Sequence, residues 1–78
     1  MSKTIKPDRI EIHRTLDEKP RQFRWTRFSG ANGKIIGAST EGYTAKRGAV
    51  YNIARTQRAP YVVAYDGEVV QVPSLDDE

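Results

Sequence analysis

Phe23-Arg24-Trp25-Thr26-Arg27-Phe28, followed by Gly30-Ala31-Asn32-Gly33 and Ile35-Ile36, is the stretch that decides the fold. Aromatics alternate with polar residues in its first six positions, as on a strand covered on one side. Phe23 and Trp25 fall on one face, Arg24 and Thr26 on the other. Trp25 reads as core, since a small core needs its largest side chain; the alternative is an exposed ring stacking on a base. Asn32-Gly33 is a strong signal for a two-residue type I′ hairpin, whose two positions both require positive φ. A third strand then spans Lys34 to Thr40. Perfectly regular pairing would turn Phe28 away from Trp25, and a bulge near Thr26-Arg27 would return it, so a bulge is expected there.

After the Glu41-Gly42-Tyr43 corner, Thr44 can cap a helix whose apolar positions Ala45, Ala49, Val50, Ile53 and Ala54 form one stripe. That face should cover the sheet, and Gly48 is expected to mark a close approach to the strands. The helix ends before Pro60, whose ring disfavours helical geometry at Ala59. Upstream of the central stretch, Ile10 and Ile12 alternate with Arg9, Glu11 and His13 as a first strand. Thr15 to Arg21 reads as a loop. Downstream, Tyr61 to Tyr65 and Glu68 to Val72 flank Asp66-Gly67, a second two-residue hairpin signal. An isolated hairpin is marginal in water, so this one must extend the sheet, pack on the helix or cross to a partner subunit.

The expected fold is α+β, a three-stranded antiparallel sheet followed by one packed helix (βββα) with a C-terminal β-hairpin. Residues 1–7 read as a flexible basic arm, 8–72 as a single domain and 73–78 as an acidic tail. The predicted core is Ile10, Ile12, Phe23, Trp25, Phe28, Ile35, Val50 and Ile53.

Seventy-eight residues bury a thin core. With no cysteine to cross-link it, the remaining source of stability is a face buried against a second copy, so a homodimer is expected. The N-terminus lacks the apolar core of a signal peptide, and no apolar run approaches the roughly 20 residues of a membrane span. The expectation is a cytoplasmic protein with no membrane partner. The net charge of +3 hides an asymmetry. All 13 Lys and Arg lie in residues 1–58 with five acids, a balance of +8, while residues 59–78 hold five acids and no base. Such a split suits an anionic partner, or equally an acidic tail that adds solubility.

Residues Phe23-Arg24-Trp25, Asn32-Gly33-Lys34-Ile35-Ile36, Glu41-Gly42-Tyr43 and Thr44-Ala45-Lys46-Arg47-Gly48-Ala49, in this order and spacing, resemble the YegP-like family. These are small domains of unknown function with a three-stranded sheet followed by a helix. The likeness spans about residues 9–60, including Ile53 and the Ala59-Pro60 ending. This chain differs by one extra residue between the Trp and the turn, by Tyr51-Asn52 where the family often has Gly, and by a C-terminal hairpin where the family repeat is commonly duplicated. The resemblance implies a dimer or pseudo-dimer and supplies no catalytic residues.

The sequence has little catalytic equipment. Its one histidine, His13, lies on the polar face of the first strand, and Asp8, Glu11 and Glu41 are scattered among bases. Neither an enzyme activity nor a cofactor or metal is expected. Gly30-Ala31-Asn32-Gly33 matches the spacing of a backbone-clamping GxxG loop but is explained by the hairpin.

Two function classes remain: a homodimeric protein-interaction module, accessory or inhibitory, of unknown protein partner, and a nucleic-acid binder. For the second, the candidate contacts are Arg24 and Arg27, with Arg9 and Arg14, on a sheet face pointing away from the helix, and Lys46, Arg47, Tyr51, Arg55 and Arg58 along the outside of the helix. Lys46 and Arg47 oppose the helix dipole in its first turn, which a bound anion would relieve. Continuous Arg and Lys on the outer sheet face would favour nucleic acid; subunit contact over Ile12, Phe28 or Val69 would favour the interaction module.

Overall fold

A computed structural model of the chain describes residues 6–15, 21–39 and 41–73. Its elements are β1 (Asp8–Arg14), β2 (Phe23–Phe28), β3 (Ile35–Ala38), α1 (Lys46–Thr56), β4 (Tyr61–Tyr65) and β5 (Glu68–Val70). The class is α+β with one helix, as expected, and β1, β2 and β3 are antiparallel neighbours. The hairpin is not a separate appendage: β4 adds to the free edge of β1 in parallel, making one mixed five-stranded sheet of order β3-β2-β1-β4-β5. A parallel neighbour needs a crossover, and α1 supplies it by carrying the chain from the β3 edge to the far side of β1. Backbone pairing at the new edge starts where the Asp8 N–H donates to the Pro60 carbonyl at 3.2 Å.

The core lies between one face of the sheet and the helix. Ile10, Ile12, Trp25 and Val63 pack with Ala49, Val50 and Ile53, and Phe23, Tyr43, Tyr61, Tyr65, Val70 and Val72 close its rim. Trp25 is 3% exposed, and its indole N–H donates to Asn52 Oδ1 at 2.9 Å, so the buried polar edge of the ring is satisfied from the helix. Phe23 belongs to the rim, with its ring centroid 5.8 Å from that of Tyr65.

Two predicted core residues lie elsewhere. The β1–β2 register is unbroken from Arg14↔Phe23 to Arg9↔Phe28, so β2 has no bulge and Phe28 stays on the face opposite Trp25. The irregularity is on the neighbouring strand: Arg27 pairs with Gly37 and Phe28 with Ile35, leaving Ile36 as the extra residue on β3. Ile35 is 66% exposed at the sheet edge, opposite Phe28. Putting the extra residue on β3 keeps β2 regular against its longer partner β1.

The first turn also differs from expectation. Only Gly33 adopts positive φ, at 75°. Ser29 and Lys34 close a four-residue connection in which the Gly33 N–H donates to the Ser29 carbonyl at 2.8 Å. Asn32 serves instead through its side chain, accepting from the Lys34 N–H at 3.0 Å. Asp66 and Gly67, at φ 54° and 84°, do form the two-residue turn their sequence predicts.

The helix begins two residues after Thr44. Ala45 is its N-cap and no side chain caps it. The approach is set by Tyr43, which exchanges two backbone hydrogen bonds with Phe23, at 2.7 and 2.9 Å. Gly48 marks a close approach to Tyr43 instead of to the strands, since a Cβ there would lie 3.1 Å from Tyr43 Cβ. Thr15 and Gln22 hold the ends of the β1–β2 connection together at 2.8 Å; residues 16–20 of that predicted loop lie outside the described residues. So do residues 1–5 of the predicted arm, Thr40 of the predicted third strand and residues 74–78 of the predicted tail. No helix among the described residues is long and apolar enough to cross a membrane.

Candidate functional site

The register assigns each strand residue to a face. Asp8, Ile10, Ile12 and Arg14 of β1, with Phe23, Trp25 and Arg27 of β2, share the helix side; Arg9, Glu11 and His13, with Arg24, Thr26 and Phe28, share the outer side. The four arginines predicted to point away from the helix are therefore divided. Ile12, named as a residue for subunit contact, is buried in the core.

Arg27 is a structural clamp. Its Nε and Nη2 each lie 2.8 Å from Asp8 Oδ2, Nη1 reaches Gln57 Oε1 at 3.2 Å, and Nη2 reaches the Arg58 carbonyl at 3.0 Å. The guanidinium also sits 5.4 Å above the centre of the Tyr61 ring. One side chain thus ties β2 to β1, to the C-terminal end of the helix and to the start of β4. Asp8 completes the clamp by accepting from the Gly30 N–H at 2.7 Å through its other oxygen. That amide bond first, then the Arg27 guanidinium, holds the Asp8 carboxyl below its ordinary value, with partial desolvation opposing them. Gly30 has no room for a side chain, because a Cβ there would run into the Lys6 and Pro7 carbonyls.

The remaining predicted contacts are dispersed. Arg14, at the end of β1, lies 6.0 Å from the centre of the Phe23 ring, and Lys46 Nζ lies 5.1 Å above Tyr65. Arg58 is past the end of the helix, because the helix stops at Thr56. Arg47, Tyr51 and Arg55 do form an exposed line at successive turns of α1, with no acid in the first turn. Arg24 sits on the outer sheet face opposite His13, whose Nε2 is 3.3 Å from Thr26 Oγ1.

The feature that sequence reasoning missed is the composition of that outer face. Reading across the strands, one row is Ile35-Phe28-Arg9-Val62 and the next is Ala38-Thr26-Glu11-Ala64-Val69. Its central charges cancel, with Arg9 Nε 2.7 Å from Glu11 Oε2, and the Arg9 guanidinium lies 4.9 Å over the Phe28 ring. A groove of about 580 Å³ runs beside Phe28, Val62, Ala64 and Val69. Among the described residues nothing covers Val62, Val69 or Ile35, which are 40%, 69% and 66% exposed. The signal was present as alternation: Val62, Ala64 and Val69 have opposite parity to the buried Val63.

A second groove, of about 560 Å³, lies below the Asp66-Gly67 turn and includes Glu11 and His13. Among the described residues no group of three or more His, Cys, Asp or Glu could hold a metal ion. Compared with known proteins, the chain matches no family model, no curated protein and no solved structure.

Proposed function

We propose that the protein is a small, non-enzymatic protein-interaction module that docks through the outer face of its sheet. The observation that carries this reading is the pair of rows centred on Arg9 and Glu11, an apolar strip whose two central charges pair with each other, on the sheet face the helix leaves bare. Contiguous exposed apolar surface is a mark of interaction sites. The role we propose for such a face is accessory or inhibitory, acting by occupying a surface. The likeness of residues 9–60 to the YegP-like family is compatible with it.

The sheet is a poor match for nucleic acid. Arg27 is committed to Asp8 and Arg14 is on the helix side, so of the four candidates the outer face carries Arg9, paired with Glu11, and Arg24, beside His13, which is not a continuous basic run. One observation favours nucleic acid at another place: Arg47, Tyr51 and Arg55 line the exposed helix face with no acid in its first turn.

The two readings separate in one experiment, retention of the full chain on a mixed DNA and RNA pool at two salt concentrations, with light scattering for mass. No retention at either salt concentration is the expected result, with the mass recording whether the chain binds itself. Salt-sensitive retention, abolished in Arg47→Ala/Arg55→Ala, would replace the protein-docking reading with the nucleic-acid one, because neutralised phosphates make affinity fall steeply with salt.

A further inference from the structure

We infer that the occupant of the outer sheet face is a second copy of this chain, packed sheet on sheet about a two-fold axis that crosses β1 at Ile10. This rests on the reading of that face as a protein-docking surface and adds its partner. The argument is one of self-complementarity. A two-fold axis lying between the sheets and perpendicular to β1 reverses the strand direction, so the row containing residue 9 lies over the partner's row containing residue 11. Arg9 then meets the partner's Glu11, and Glu11 meets the partner's Arg9. The same operation sets Ile35 over the partner's Ala38, Phe28 over the partner's Thr26 and Val62 over the partner's Ala64.

Ile35, Phe28 and Val62 of one row thus each face a smaller side chain in the other, as interdigitating sheets require. An isologous contact needs a patch that complements itself, and these two rows do so in volume at β2, β3 and β4 and in charge at Arg9 and Glu11. A partner with a predominantly acidic or basic surface would leave Glu11 or Arg9 facing its own sign. β1 is the middle strand of the five, so the axis falls near the centre of the face and both halves are engaged. Five strands about 4.8 Å apart and about five residues long present roughly 400 Å² in projection, about half of the roughly 800 Å² that each partner contributes to a standard interface. The dimer is therefore one that dissociates on dilution.

Charge reversal tests the pairing directly. Sedimentation equilibrium of the full chain from micromolar to millimolar concentration should show a concentration-dependent doubling of mass. Arg9→Glu and Glu11→Arg should each weaken self-association at least about tenfold, because each creates two like-charge contacts across the axis. An equimolar mixture of the two variants should restore it. The glutamate introduced at position 9 of one chain then faces the arginine introduced at position 11 of the other, and the unchanged Glu11 of the first faces the unchanged Arg9 of the second. Ala64→Trp should abolish self-association by filling the space proposed for Val62. Circular dichroism of each variant checks that the fold is retained; Arg9 and Glu11 are both surface residues with half-exposed side chains.

A wild type that stays monomeric throughout overturns the inference, as does a dimer that withstands both reversals and Ala64→Trp, or a mixture that fails to recover. Salt-sensitive retention on nucleic acid through Arg47 and Arg55 by a monomeric wild type would overturn the docking reading as well. Monomer without retention overturns the second copy alone.

Discussion

Ile10, Ile12, Trp25 and Val63, on the helix side of the sheet, are at most 3% exposed, whereas Val62 and Val69 of the same C-terminal hairpin are 40% and 69% exposed on the other side. Hydropathy does not separate these groups; topology does. A single eleven-residue helix covers one face of a five-stranded sheet, and no other element among the described residues is available for the second. The helix side is also where polar groups are satisfied inside the fold, with the Trp25 indole on Asn52 and Arg27 on Asp8. On the outer side the central charges, Arg9 and Glu11, pair with each other, and Arg9 lies over the Phe28 ring. One face therefore holds the fold together, and the other is spared that task; it is the surface proposed for docking.

The largest effect expected from this contrast is at Trp25. Trp25→Ala should cost about 3–5 kcal/mol in urea unfolding, since it opens a cavity in a thin core and strands the Asn52 carbonyl. Phe28→Ala, further along β2 and on the other face, should cost no more than about 1.5 kcal/mol, because its ring is only partly covered. Equal losses at the two aromatics would break the distinction between the faces.

Arg27 comes next. Arg27→Met should cost on the order of 1.5–3 kcal/mol, since it removes charge-assisted hydrogen bonds that join three elements. Its consequence for Asp8 is visible in the pH profile. The Asp8 carboxyl has a lowered value in the folded state, so its contribution is fully present above the unfolded value of about 3.9 and is lost as pH falls through the folded one. The wild type should therefore lose more stability than Asp8→Asn on acidification below about pH 4. Arg27→Met should keep part of that dependence, because the Gly30 amide still holds the carboxylate. Unfolding midpoints at pH 7 and pH 3 for the three proteins decide it, and identical slopes would remove Asp8 from the clamp.

Much of the architecture was legible because it depends on local signals. Period-two alternation gave β1 and β2, the small apolar stripe gave α1, and Asp66-Gly67 gave the last turn. The placement of β4 beside β1 was not legible, because strand order depends on which edge a crossover reaches, and no local pattern states that. Arg27 was misread through the position of the bulge. Its parity with Phe23 and Trp25 already put it on the helix side, and an extra residue on β3 instead of β2 leaves that parity intact. Asn52 was legible only as a departure from the family pattern, because its role exists only once the Trp25 indole is laid against the helix, 27 positions away. The Arg9–Glu11 pair and its apolar neighbours come from four strands, so the face assembles only when the register of all five is known.

The smallest expected effect is also the sharpest test of the bare face. Val69→Thr replaces a methyl by a hydroxyl of nearly the same volume at a position 69% exposed, on an edge strand that pairs only with β4. Threonine is as much at home on a pleated surface as valine, and its hydroxyl can bond to water. In dilute solution, where any self-association has dissociated, the unfolding free energy should change by less than about 0.5 kcal/mol. Val63→Thr makes the identical atomic change one pairing away at 2% exposure, where the hydroxyl loses its water and should cost about 1–3 kcal/mol. Both residues belong to one hairpin with similar strand propensity, so the difference between them measures the helix cover alone. A Val69 cost as large as that of Val63 would mean that something within the same chain lies on the outer face, and the surface proposed for docking would be occupied.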